Sequence, residues 1–322
     1  MDNSAPTQDS DIWFEDGNII LEVEKTLFKV HRSILATHSP VFKKIFDEQS
    51  QFYQSPTTVP RLTCYDKAAH IKLLLQGVYN TTSFEGKTQC DHLKEAAGMI
   101  IMGGKYGVDF LFQRAVKNLS TIFPTTLDKW DQHSQSLVNS LISVAEQVDL
   151  IHALTVARVT WILPAAVYGC FAYRKPEEIL ASKFGNAPSM QTAFLLLFVN
   201  HVRLCRRGVS FVASLPAQDC SAKNECDGLT RRFYLDTLTW TSNDPLGFTS
   251  EESKKFKELV NQLCSKCSDK CSQAHKDSRE AIWSDLPKVY GIGGSWAELK
   301  ASEGNVASHL QFLAQVKNTA SR

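Results

Sequence analysis

The chain has 322 residues, 43% of them hydrophobic, which suits about two globular domains rather than a disordered chain. Its 35 Lys+Arg stand against 34 Asp+Glu, so no basic footprint for direct nucleic-acid binding and no acidic tail is present. The opening residues, 1–10, have neither a basic region nor an apolar core, so the expectation is a short flexible tail rather than a leader or anchor.

From Asp11 onward, turn chemistry, hydrophobic period and helix caps agree. Asp16-Gly17 is a tight-turn dipeptide, and Ile19, Leu21 and Val23 alternate as a half-buried strand. After the polar Glu24-Lys25-Thr26 break, Leu27, Phe28 and Val30 form a second apolar run, completing a hairpin. From Ser33 the period becomes helical through Ile34 and Leu35. Ser39-Pro40 then caps a second short helix carrying Val41, Phe42, Ile45 and Phe46. Val59 to Leu62 reads as a further strand, Ala69 to Tyr79 as a helix, and Ala96 to Val108 and Phe110 to Phe123 as two more. Pro124 breaks the last of these, which places a boundary between Pro124 and His133.

Beyond it the pattern is helical throughout. Leu137, Leu141, Val144, Ala145 and Val148 share one helical period, and Ile151 to Tyr173 reads as a buried helix bent at Pro164, too polar at His152 and Arg158 to span a membrane. Lys175 to Glu178 and Gly185 to Ser189 are breaks, Met190 to Phe211 is a helix, and Pro216 to Cys226 is a loop. Another helix contains Arg231 to Leu238. A last long one starts at Thr249-Ser250-Glu251-Glu252 and runs to about Trp283, followed by Trp296 and Leu299. The predicted layout is a tail (1–10), an α+β domain (11–123), an all-α region (134–300) and a C-terminal helix or tail (301–322).

The sharpest chemical signal is the cysteine group. Cys220-x5-Cys226 falls in the predicted loop, and Cys264-x2-Cys267-x3-Cys271-x3-His275 falls on the predicted helix, within about 80° of one face. Zinc takes about four N or S ligands in a tetrahedron, so the preferred set is Cys220, Cys226, Cys264 and Cys267, with Cys271 and His275 as substitutes. The competing reading is a set of buried thiols, because Phe256, Val260, Leu263 and Ile282 share that face and cysteine packs as a small hydrophobe. Nine cysteines, an odd number, suit reduced thiols in the cytosol or nucleus better than disulfides. Gly103-Gly104-Lys105 and Gly291 to Ser295 lack the spacing of phosphate-binding loops, and no hydrolase or metalloprotease motif is present. No catalytic residue is assigned and the expectation is a chain that is not an enzyme; an enzyme using the cysteine group with His275 is the minor alternative.

Asp11, Phe28, His31-Arg32, Leu35-Ala36, Ser39 and Phe42, with the Tyr79-Asn80-Thr81 corner and Lys105-Tyr106-Gly107-Val108, closely resemble the BTB/POZ domain. The resemblance implies a protein–protein interaction module. In it Asp11, His31, Arg32, Leu35, Ser39 and Phe42 belong to the core and dimer region, Asp11 and Arg32 forming a charged pair near the interface and His31 capping and orienting the first helix. The alternatives for these residues are a general base at His31 and solvated charges at Asp11 and Arg32. The resemblance further implies homodimerisation and, for many members, substrate adaptation on a cullin ubiquitin ligase. Phe46-Asp47-Glu48 matches the hydrophobic-x-Glu triplet of cullin binders, so Phe46, Glu48 and Tyr79 are candidate partner contacts. A transcriptional or chromatin co-regulator is the alternative function. The second half is similar to a group of uncharacterised fungal proteins in which a BTB domain precedes a long helical region with paired cysteines and a closing Trp-Leu-Pro segment. That similarity implies an unknown protein partner for the helical region, with no direct nucleic-acid and no membrane role.

Overall fold

A computed structural model describes residues 5–48, 59–80, 89–138, 142–174, 176–181, 188–238, 244–247 and 250–303. The chain divides into two compact units: Met1–Thr121 with His152–Val159 and Gly304–Arg322, and Ile122–Ile151 with Thr160–Glu303.

The first unit opens with β1 (Thr7–Trp13), β2 (Ile19–Val23) and β3 (Thr26–Val30). Then come α1 (Arg32–His38), α2 (Pro40–Glu48) and β4 (Arg61–Cys64). It continues with α3 (Ala68–Tyr79), α4 (Gln89–Tyr106) and α5 (Asp109–Ile122). β2 and β3 form the antiparallel hairpin read from the alternation. Its reversal falls at Glu24, in the polar break read from the sequence, with a left-handed φ of 54°; Asp16 lies in a separate turn between β1 and β2, where the Gly17 N–H donates to the Phe14 carbonyl at 3.0 Å. The Glu24 side chain accepts the Ala68 N–H at 3.0 Å, so the residue that turns the hairpin also satisfies the first turn of α3.

Strand order is β1-β3-β2-β4, with β1 parallel to β3 and β4 parallel to β2. β1 begins inside the segment expected as a tail. Hydrophobic period could not reveal it, because most of its side chains are exposed and its order comes from backbone pairing, including Thr7 N–H to the Lys25 carbonyl at 2.8 Å. The core lies between the hairpin and α1–α5, where Ile19, Leu21, Leu35, Phe42, Ile71, Leu75, Leu111 and Phe112 are fully buried. α4 starts well before the expected Ala96.

The second unit is helical. Its elements are α6 (Leu127–Val138), α8 (Leu163–Ala172), α9 (Pro176–Ala181) and α10 (Pro188–Gly208), with α7 (Val144–Val156) crossing between the chain segments of the two units. A 3₁₀ turn (Ser210–Ser214), α11 (Lys223–Leu238), α12 (Ser250–Gln262), α13 (Ser265–Val289) and α14 (Trp296–Ala301) follow. α6 occupies part of the stretch expected as a linker, because Trp130 is fully buried there against Tyr168 and Trp283.

The single helix expected across Leu137 to Val148 is instead split. Ser143 and Glu146 make a reciprocal capping box, Ser143 N–H to Glu146 Oε2 at 2.6 Å and Glu146 N–H to Ser143 Oγ at 3.2 Å, which starts α7 afresh. The bend expected at Pro164 is likewise a break: α7 ends, Arg158 turns with φ 56°, and Pro164 sits in the first turn of α8, where its missing N–H costs nothing. All ten residues of α8 are buried. An aromatic core surrounds them, with Trp283 stacked on Trp296 and His201 Nδ1 2.8 Å from the Tyr290 hydroxyl. Among the described residues no helix is long and apolar enough to cross a membrane.

Candidate functional site

In the first unit the residues singled out from sequence form a packed junction. Ser39 is 1% exposed; its Oγ accepts the Phe42 N–H at 3.1 Å, capping α2, and donates to the Tyr106 carbonyl at the end of α4 at 2.5 Å. One hydroxyl thus satisfies orphan groups of two helices. Phe42 stacks between Tyr106 and Phe46 at 4.5 and 5.8 Å, and Leu35 is fully buried. Asp66 accepts from Lys105 Nζ and from the Tyr106 hydroxyl, each at 2.7 Å, which anchors the Lys105-Tyr106-Gly107-Val108 junction. Gly107 turns there with φ 68°, its α-carbon facing Pro40.

Three placements correct the sequence reading. His31 holds the N-cap position of α1 but makes no side-chain cap; Asn18 Oδ1 accepts the Arg32 N–H at 2.8 Å instead. The His31 ring orients the hairpin end, with Nδ1 3.0 Å from the Tyr79 hydroxyl and Nε2 3.1 Å from Asp16. Asp11 pairs with Lys72 at 2.6 Å rather than with Arg32, because β1 runs alongside α3; Asp9 joins the same lysine at 3.0 Å. The Lys72 ammonium holds the Asp11 carboxyl below its ordinary range. Arg32 lies over the Phe46 ring at 5.4 Å. Phe46, 3% exposed, belongs to the core; Tyr79 is partly exposed, engaged with His31 and stacked on Phe14; Glu48 is exposed.

In the second unit, four of the six candidate metal ligands converge. The sulfurs of Cys220, Cys226, Cys264 and Cys267 lie within 4.8 Å of one another, Cys220 and Cys264 at 3.6 Å. Zinc–sulfur bonds of about 2.3 Å in a tetrahedron separate the sulfurs by about 3.8 Å, so the cluster has the dimensions of a four-thiolate site. The elements explain the convergence. Cys264 is the N-cap of α13 in extended geometry, which ends α12 and points Cys264 and Cys267 inward together. Cys226 lies in the first turn of α11 rather than in a loop, and Cys220 in the segment before it.

Backbone amides point at the sulfurs, Ala217 N–H to Cys267 Sγ at 3.3 Å and Cys264 N–H to Cys226 Sγ at 3.5 Å. Burial pushes the Cys267 thiol up to about 12 and raises Cys226, while the Cys267 backbone N–H, with the neighbouring thiols, lowers Cys264 to about 6. Two buried sulfurs resist the thiolate form where a cation at the centre would favour it. Cys271 and His275 are not part of the cluster. Cys271 is buried, its thiol pushed up to about 11, and the His275 ring packs 4.2 Å from Phe256 and 5.2 Å from Phe211. Desolvation, with Arg279 nearby, lowers His275 to about 4. Placing all four on one continuous helix overlooked the break at Cys264, which separates that residue from α12; Cys267, Cys271 and His275 remain together on α13, with the last two further along it.

Among curated proteins, no match to the chain is found. Residues 14–121 match the BTB/POZ domain family model, over the hairpin, the two short capped helices and the Lys105 to Val108 junction. A BTB/POZ domain is a protein–protein interaction module. With the Ser39 junction and the β2–β3 hairpin in place, the N-terminal third of this chain is a BTB/POZ domain.

Proposed function

We propose that this chain is a non-catalytic interaction scaffold, in which the BTB/POZ domain pairs with that of a second copy and the helical unit holds a protein partner. The match of residues 14–121 carries this reading. Light scattering coupled to size-exclusion chromatography tests it: a mass of twice the 36.0 kDa chain at micromolar concentration is expected, and a strictly monomeric chain refutes it. The adaptor form of the reading adds a cullin scaffold as partner. It is supported by the Phe46-Asp47-Glu48 triplet, with exposed Glu48 as the available contact once Phe46 is assigned to the core. Capture of a cullin by the full chain, lost in Glu48→Lys, is the expected result; dimerisation without capture removes the adaptor and leaves the scaffold. Residence in the cytosol or nucleus suits the eight described cysteines, all free thiols.

We infer also that Cys220, Cys226, Cys264 and Cys267 hold one zinc ion, which ties the segment before α11 to the start of α13. The convergence of four sulfurs carries this reading. A closed four-ligand site is structural, with no open position for substrate. About one zinc per chain after purification without chelators is expected, and a value near zero ends the idea.

A further inference from the structure

The four sulfurs of the cluster are not equivalent. Cys226 and Cys267 are buried, 1% and 0% exposed, within a core that includes Phe211, Phe233, Leu259 and Leu263. Cys220 and Cys264 are partly exposed and 3.6 Å apart. They come from segments 44 positions apart, held side by side at the surface where Lys266 Nζ meets Asp219 at 3.6 Å. Closing Cys220 and Cys264 into a disulfide needs a sulfur shift of about 1.5 Å to reach the bond length of about 2.05 Å.

We propose that Cys220 and Cys264 are an oxidisable pair: a hydroperoxide converts them to a disulfide and expels the metal from the four-thiol centre. This rests on the zinc reading above. One thiolate of the pair attacks a peroxide oxygen, forming an S–O bond as the O–O bond breaks; the leaving hydroxide takes a proton and departs as water. The second thiolate attacks that sulfur, forming S–S as S–O breaks, and the second hydroxide leaves, again as water. Two thiolates are oxidised by two electrons, and hydrogen peroxide is reduced to two waters. Only Cys226 and Cys267 then remain as ligands, half of what a closed zinc site requires, so the ion leaves. The disulfide keeps the two segments joined by a covalent bond between one ligand from each side, while the buried pair reverts to thiols in the core.

The test treats zinc-loaded full-length protein with a few equivalents of hydrogen peroxide. It reads zinc release with a chromophoric chelator and maps disulfides by peptide mass spectrometry. The expected result is loss of about one zinc per chain, Cys220–Cys264 as the predominant linkage, Cys226 and Cys267 recovered reduced, and restoration by thiol reductant with zinc. Cys205→Ser, which alters a partly exposed thiol outside the cluster, behaves as wild type. Zinc retained under peroxide, or a Cys264–Cys267 linkage in place of Cys220–Cys264, overturns this proposal and leaves the zinc reading standing. A protein that neither arrives with zinc nor takes it up overturns both.

Discussion

Replacing Ser39 by Ala removes two interactions made by a single buried oxygen. The first is the α2 cap, the Phe42 N–H to Ser39 Oγ bond at 3.1 Å; losing an N-cap side chain costs about 1 kcal/mol. The second is donation to the Tyr106 carbonyl at 2.5 Å, whose loss strands an acceptor in a site 1% exposed and costs about 1–2 kcal/mol more. The sum, about 2–3 kcal/mol, corresponds to roughly 30- to 150-fold faster amide exchange wherever exchange requires opening of the whole unit. Hydrogen exchange with mass spectrometry on the full chain reads this at the peptides covering Ile19–Val23 and Thr26–Val30, the buried hairpin. Ser39→Gly separates the contributions: glycine is tolerated at an N-cap at a cost of a few tenths of a kcal/mol, so most of its loss reports the Tyr106 bond. Exchange in Ser39→Ala within threefold of wild type would refute the two-helix role of this hydroxyl.

Three other outcomes are expected. Gly107→Ala places a β-carbon 2.9 Å from Pro40 Cγ in a left-handed conformation, and lowers stability of the first unit by about 1–2 kcal/mol in the same exchange assay. Cys267→Ser loses the bound zinc, whereas Cys271→Ala keeps about one zinc per chain by elemental analysis and shows only a packing loss of roughly 1 kcal/mol. His275 is neutral in the folded chain down to about pH 4, against an ordinary 6.5, through burial and Arg279. Its folded value is depressed, so the unfolded chain gains the proton first and stability falls as pH drops from 6.5 towards 4, by up to about 3 kcal/mol. In denaturant titrations at saturating zinc the stability of wild type should fall relative to His275→Phe as pH drops from 6.5 towards 4, and parallel curves would contradict the burial.

The first unit was largely legible because its signals are local. Ser39-Pro40 is a cap followed by a first-turn proline whatever packs above it, and Ile19, Leu21 and Val23 mark the fully buried face of β2, although Ile20 on its other face is buried as well. What sequence missed there depends on partners remote in the chain. β1 is ordered by β3, and Asp11 is drawn to Lys72 by the run of β1 beside α3; neither follows from the composition of residues 7–13. In the second unit the apolar periods and the new starts at Pro176 and Pro188 were read correctly, whereas the breaks before α7 and before α13 were not. The Ser143 and Glu146 box was the available signal for the break before α7, and it outweighs a hydrophobic period that continues across it.

The cysteine site shows the same division at the scale of one residue. Spacing alone put Cys264, Cys267, Cys271 and His275 on one helical face, which would allow six candidate ligands to compete. The outcome turns on Cys264 being the N-cap with ψ 157° rather than a residue within a helix. In that conformation its side chain leaves the helical face and meets Cys220, while Cys271 and His275 continue down α13 into Phe211 and Phe256. A Cys-x2-Cys pair whose first member caps a helix brings two thiols to the helix N-terminus, where the amide dipoles favour negative charge. Cys271 and His275 follow Cys267 by one and two turns of α13, about 6 and 12 Å along the axis, and neither lies among the four sulfurs that come within 4.8 Å of one another. The cap therefore brings Cys264 to Cys220, and it leaves these two, the partly exposed members, as the place where the centre meets solvent.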